Sequence, residues 1–180
     1  MLQITIGRSE YFDDERQEFV SIKERTIHLE HSLLSISKWE SKWKKPFLGD
    51  RPKTPEEALD YFRCMTIEKD VDPASYYALT PEQIDSILAY IDEERTATTI
   101  RNTASSKKSR EIVTSEVIYC SMAMLQIPFE AEKWHLSRLL KLIEVCGIKN
   151  APPKKMSKRE IFARNKALNN ARRQRLNSKG

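Results

Sequence analysis

The chain has 180 residues, of which 39% are hydrophobic, 32% charged and only four are glycine, with a net charge of +5. A chain of this length can bury a core without disulfides or a structural metal, and so few glycines leave little material for a phosphate-cradling loop, which disfavours a nucleotide-binding enzyme. The charge is divided, because residues 149–180 hold eleven basic side chains and one acid, so that segment carries +10 and residues 1–148 carry −5.

The first thirty residues read as strands. Leu2, Ile4 and Ile6 alternate with Gln3 and Thr5, and Ile27 and Leu29 alternate with Thr26, His28 and Glu30, the period-two pattern of a sheet buried on one face. "YFDDERQEFV" between them suits a hairpin with a polar turn at residues 13–17. After His31 the period changes. Leu33, Ile36, Trp39, Trp43 and Phe47 recur at steps of three or four, a helical stripe that Ser32 can cap and Pro46 ends.

Two further helix starts share one grammar. In "TPEEALDYFRCM" and "TPEQIDSILAYI", Thr54 and Thr80 are N-caps, Pro55 and Pro81 take the first helical position, and Glu57 and Gln83 close the capping boxes. Asp72 and Pro73 open a short helical turn between them, and residues 95–110, rich in Ser and Thr, form an exposed connector. Residues 111–127 turn almost wholly apolar from Val117 to Leu125, which predicts a central helix enclosed by others and broken at Pro128. The next helix, 129–147, aligns Leu136, Leu139, Leu140 and Ile143 and stops at Gly147. Residues 148–155, "IKNAPPKK", read as a stiff hinge, and Ser157 with Glu160 opens a basic helix.

The expected fold is therefore α+β, mainly α: a helical bundle with a small N-terminal β-hairpin or sheet, occupying residues 1–148 with strands up to about residue 31, and a hinge plus protruding basic C-terminal helix over 149–180. The opening residues lack a signal-length apolar run and nothing approaches a membrane span, so a soluble, intracellular protein without membrane contact is expected. Cys64, Cys120 and Cys146 lack C-x-x-C spacing and read as reduced, mostly buried thiols.

Catalytic, cofactor and metal sites find little support. His28, His31 and His135 have no cysteine at ligand spacing, no hydrolase, zincin or P-loop motif occurs, and the acidic pairs Asp13/Asp14, Glu56/Glu57 and Glu93/Glu94 fall in turns or at helix ends. No catalytic residue, cofactor or metal is expected. Trp39 and Trp43 are core residues first, with an outer edge available to a partner. The basic segment is the unusual feature: Lys154, Lys155, Lys158, Arg159, Arg164, Lys166, Arg172, Arg173 and Arg175 flank a thin stripe of Ile161, Leu168 and Leu176. Such a helix suits an acidic protein surface, the phosphates of a nucleic acid, or plain solvation, and Phe162 is its one aromatic for stacking on bases.

Three stretches, "LEHSLLSISKWESKWKKPFLG" at 29–49, "IPFEAEKWHLSRLL" at 127–140 and "NAPPKKMSKREI" at 150–161, resemble a family of small tail-module proteins of tailed bacteriophages whose members look like tail assembly chaperones. That resemblance implies a non-enzymatic factor in the cytoplasm of the infected host, which coats the long helical tape measure protein during tail assembly and can self-associate. The alternative it leaves open is a virion component of neck, capsid or tail that contacts DNA through the basic segment.

Overall fold

The structure, a computed structural model, describes residues 1–13, 17–100, 112–151 and 157–177. It is α+β and mainly α. The chain divides into two compact units, Met1–Gly147 and Ile148–Gly180.

In the first unit the strands form two antiparallel pairs. Strand β1 (Leu2–Ile6) pairs with β4 (Arg25–Leu29), Leu2 facing Leu29 and Ile6 facing Arg25, while β2 (Ser9–Asp13) pairs with β3 (Glu18–Ile22) between them. The alternation read from the sequence sets the buried face: Ile4, Ile6, Ile27 and Leu29 enter the core, and Thr5 and Thr26 meet across the other face at 3.0 Å. Residues 65–67 add to β4, where Glu30 N donates to Met65 O and Ile67 N to His28 O, each at 3.0 Å.

Helix α1 (Leu33–Trp43) starts where Ser32 and Ser35 exchange backbone and side-chain bonds, and ends as Lys44 turns left-handed at φ 56°, two residues before Pro46. Its apolar stripe buries Leu33, Ile36 and Trp39. Helices α2 (Pro55–Met65) and α3 (Pro81–Ile91) begin at the expected Thr54 and Thr80 boxes, and a 3-10 helix (Pro73–Ala78) opens on Asp72. Gln83 also donates to Thr5 O at 2.8 Å, so the residue that closes the α3 cap ties that helix to β1.

Several expectations are corrected in this unit. Helix α4 (Ser115–Met124) is not enclosed: Ser115, Ile118 and Met122 are buried, while Met124 is 80% exposed and Cys120 is also exposed. An apolar run fixes how much a helix can bury, but the neighbours available decide how much it does bury. The thiols follow suit, with Cys64 and Cys146 half-buried rather than fully inside. The helix expected over 129–147 is two elements, a 3-10 helix (Phe129–Lys133) and α5 (Leu136–Asn150). Between them Trp134 is extended and His135 bridges Ser32, with Leu136 N donating to His31 O at 2.7 Å. A bond to a residue about a hundred positions away thus breaks a helix whose local pattern was continuous.

Gly147 does not stop α5, which continues to Asn150, and its backbone is not left-handed. A Cβ there would meet nothing within 4 Å. Gly147→Ala should therefore stabilise the helix by up to about 1 kcal/mol through reduced backbone entropy in the unfolded chain. A shift of the urea midpoint to higher concentration tests this; a lower midpoint would contradict it.

Candidate functional site

In the second unit the basic segment forms helix α6 (Lys158–Leu176). Ser157 caps it by accepting from Glu160 N at 3.2 Å, and the Glu160 carboxylate returns the bond by accepting from Ser157 N at 2.7 Å. Asn177, left-handed at φ 50°, closes its C-terminus, where Arg173 and Arg175 lie in the last turn and complement the helix dipole. Every residue of α6 is exposed, including Phe162 at 72%. Among the described residues, Lys158, Arg159, Lys166, Arg172, Arg173 and Arg175 form no ion pair within this helix or elsewhere. Arg164 lies on the same helix, and Lys154 and Lys155 lie outside the described residues.

The two tryptophans are placed differently. Trp39 is 2% exposed and its indole N–H donates to Glu57 O at 2.8 Å, so the partner-facing edge expected of it is absent; the packing of α1 on α2 covers it. Trp43 stacks on Trp39 with ring centres 6.1 Å apart and donates to Asp60 Oδ2 at 2.8 Å. It remains half-buried, with Lys45 Nζ 5.4 Å from its ring centre. Lys42 near the end of α1 and Lys45 just beyond it are not free cations, because Lys42 pairs with Asp60 and Lys45 with Glu57.

Glu57 is the centre of that arrangement. Its side chain is nearly inaccessible, takes Lys45 at 2.8 Å and both oxygens of its carboxylate accept from Arg51, at 2.6 and 2.7 Å. The Lys45 bond first, then the Thr54 N–H, and Arg51 more weakly, outweigh burial and hold the carboxyl well below its usual range, at about 2. The sequence marked Glu57 as a cap; its second function as anchor for two cations on the α1–α2 connection had no local signal.

A buried polar chain was likewise missed. His31 Nδ1 lies 2.6 Å from Tyr61 Oη, which lies 3.3 Å from Ser35 Oγ. The His135 ring stands edge-on to His31 at 5.3 Å, with its own Nε2 3.1 Å from Tyr90 O. The residue types resemble a nucleophile with its base, yet all of them lie in the core, and burial pushes the Tyr61 hydroxyl far above its ordinary range. The network's evident work is to satisfy polar groups inside an apolar shell. His28 turns away to Glu68, and among the described residues no group of three or more His, Cys, Asp or Glu is arranged to hold a metal ion.

Burial foremost, then the proximity of His135 and Lys53, lowers His31 from 6.5 to about 4. The unfolded chain therefore binds a proton that the folded chain refuses, so stability is fully present above the unfolded value and is lost as pH falls toward the folded one. Glu57, depressed from 4.5 to about 2, adds stability that is present above 4.5 and lost as pH falls through about 2. Moving from pH 7 to pH 5 should remove on the order of 2 kcal/mol through His31 alone. Urea unfolding at the two pH values measures it, and equal midpoints would contradict the assignment.

No helix among the described residues is long and apolar enough to cross a membrane. No protein-family profile matches the chain, and no curated protein or solved structure does so at a significant level.

Proposed function

We propose that this chain is a non-enzymatic assembly factor that binds a long helical protein, the tape measure, during tail morphogenesis of a bacteriophage. The observation that carries the reading is α6, a capped helix exposed along its whole length with six cations that form no ion pair among the described residues. Maintaining that density of uncompensated positive charge favours contact with an acidic macromolecule. The apolar side chains beside the cations, Ile161, Phe162, Leu168 and Leu176, are too few for tight docking and suit weak, repeated contacts along an extended partner. The three stretches that resemble tail assembly chaperones supply the identity of the partner.

Co-expression with a bacteriophage tape measure protein tests the reading. The expected result is a soluble partner that precipitates when Arg172, Arg173 and Arg175 are changed together to Gln; a tape measure equally insoluble with and without this chain would overturn it. The cluster of three arginines in the last turns also favours a second reading, a virion component that grips DNA. That reading requires the protein in purified particles and duplex binding whose log K falls with log salt at a slope near about −4.5, for about five phosphate contacts.

A further inference from the structure

Two adjoining cavities of the first unit, of about 360 and 380 Å³, share Glu30 and Lys133 in their walls. We propose that together they form a docking groove for a peptide segment that presents a carboxylate next to a leucine-like side chain. The inference rests on the protein-binding function proposed above and supplies a contact that α6 does not.

One half of the groove is cationic. Arg95, Lys133 and Arg138 line it, beside the partly exposed ring of Trp134. Arg95 is already engaged, its Nε 2.7 Å from Glu93 and its guanidinium 4.6 Å from the centre of the Tyr90 ring. Glu30 is engaged too, accepting from Tyr90 Oη at 2.8 Å and pairing with the Met1 amino group at 3.0 Å. Lys133 and Arg138 have no carboxylate partner among the described residues. Arg138 is nevertheless held in place, stacked 4.4 Å from the centre of the Trp134 ring. A guanidinium already ordered by stacking loses little freedom on binding a carboxylate, and Lys133 adds a second donor.

The other half sets the apolar Leu34 and Ile67, the latter 55% exposed, beside Lys38, an exposed cation with no carboxylate partner among the described residues. A leucine-like side chain there would cover surface that the fold leaves wet. Charge complementarity chooses the occupant. Three uncompensated cations, Lys38, Lys133 and Arg138, favour an occupant with a few carboxylates, whereas a nucleic acid or polyphosphate would set further phosphates against Glu30 in the shared wall. A carboxylate and an apolar side chain two apart on an extended segment point to the same side, which suits a groove whose two halves share a wall.

The test uses the full chain and a capped, fluorescein-labelled peptide of repeating Leu-Ser-Glu-Ser, read by anisotropy. Lys133→Glu with Arg138→Glu should weaken binding at least about tenfold, as expected for charge reversal at a complementary contact. Lys133→Ala alone, exposed and without packing partners in the core, should weaken it less and guards against a folding defect in the double variant. Peptides with Lys for Glu, or Ser for Leu, should bind poorly. Neutralising Arg172, Arg173 and Arg175 should leave peptide affinity within about twofold, because none of them lines the groove. Binding lost on neutralising α6 but unchanged in the Lys133/Arg138 variants would overturn the groove and leave the proposed function standing. Competition by oligothymidylate or tripolyphosphate as strong as by the unlabelled peptide would also overturn it, as would no detectable binding of the peptide.

Discussion

Trp39→Ala is expected to destabilise the first unit by about 3–5 kcal/mol, the range for deleting a buried large aromatic side chain. The ring is 2% exposed, stacked on Trp43 and edge-on to Phe47 at 5.2 Å, so its removal opens a cavity among residues that cannot collapse without shifting α1 from α2. It also leaves Glu57 O without the indole N–H that now lies 2.8 Å away. Domains of this size are stable by about 5–15 kcal/mol, so the variant should be partly unfolded at modest urea concentrations rather than folded and deficient in binding. Trp39→Phe, which keeps most of the apolar volume, should retain the fold at roughly half that cost. A Trp39→Ala protein with unchanged urea midpoint and lost partner binding would return Trp39 to the partner surface.

Glu40→Ala should cost about 3 kcal/mol, although Glu40 touches no cation. Its Oε1 accepts from Phe47 N and its Oε2 from Ser115 N, both at 2.7 Å, and Ser115 is fully buried. Removing the carboxylate strands two buried N–H groups, each worth about 1–3 kcal/mol when left unpaired. The second of them belongs to the first turn of α4, whose own N-cap, Thr114, makes no side-chain cap bond. Glu40 is thus a cap supplied by α1 across 75 positions of sequence, with its negative charge at the positive end of the α4 dipole. Glu40→Gln keeps one acceptor oxygen and should lose about half as much. Hydrogen exchange at the Ser115 and Phe47 amides reads the effect directly: protection should fall at both in Glu40→Ala, and unchanged protection would contradict the assignment.

The two variants separate the structural side chains from those available to a partner. Trp39 is in the first class, and Trp43, half-buried and hydrogen-bonded to Asp60, stands between them. Lys158, Arg159, Lys166, Arg172, Arg173 and Arg175 of α6, together with Lys133 and Arg138, are in the second, because none of them has a carboxylate partner among the described residues. Substitution in the second class should leave the urea midpoint within about 0.5 kcal/mol of the parent while changing binding.

What residue order alone determined about this chain is local. Ser32, Thr54, Thr80 and Ser157 each cap the helix that follows because the donor, the acceptor and the reciprocal side chain lie within four positions. The alternation of Ile4 and Ile6 with Gln3 and Thr5 likewise assigns a strand and its buried face before any partner strand is known. The tertiary structure alone decided where α4 begins, since its cap comes from Glu40, and where α5 begins, since His135 leaves the helical path to bridge Ser32. It also decided which apolar residues of α4 stay wet, that Glu57 gathers Lys45 and Arg51, and that Lys133 and Arg138 line one groove. These outcomes depend on hydrogen bonds and charges between residues far apart in the chain, and such bonds leave no period, spacing or composition in the sequence from which they could be read.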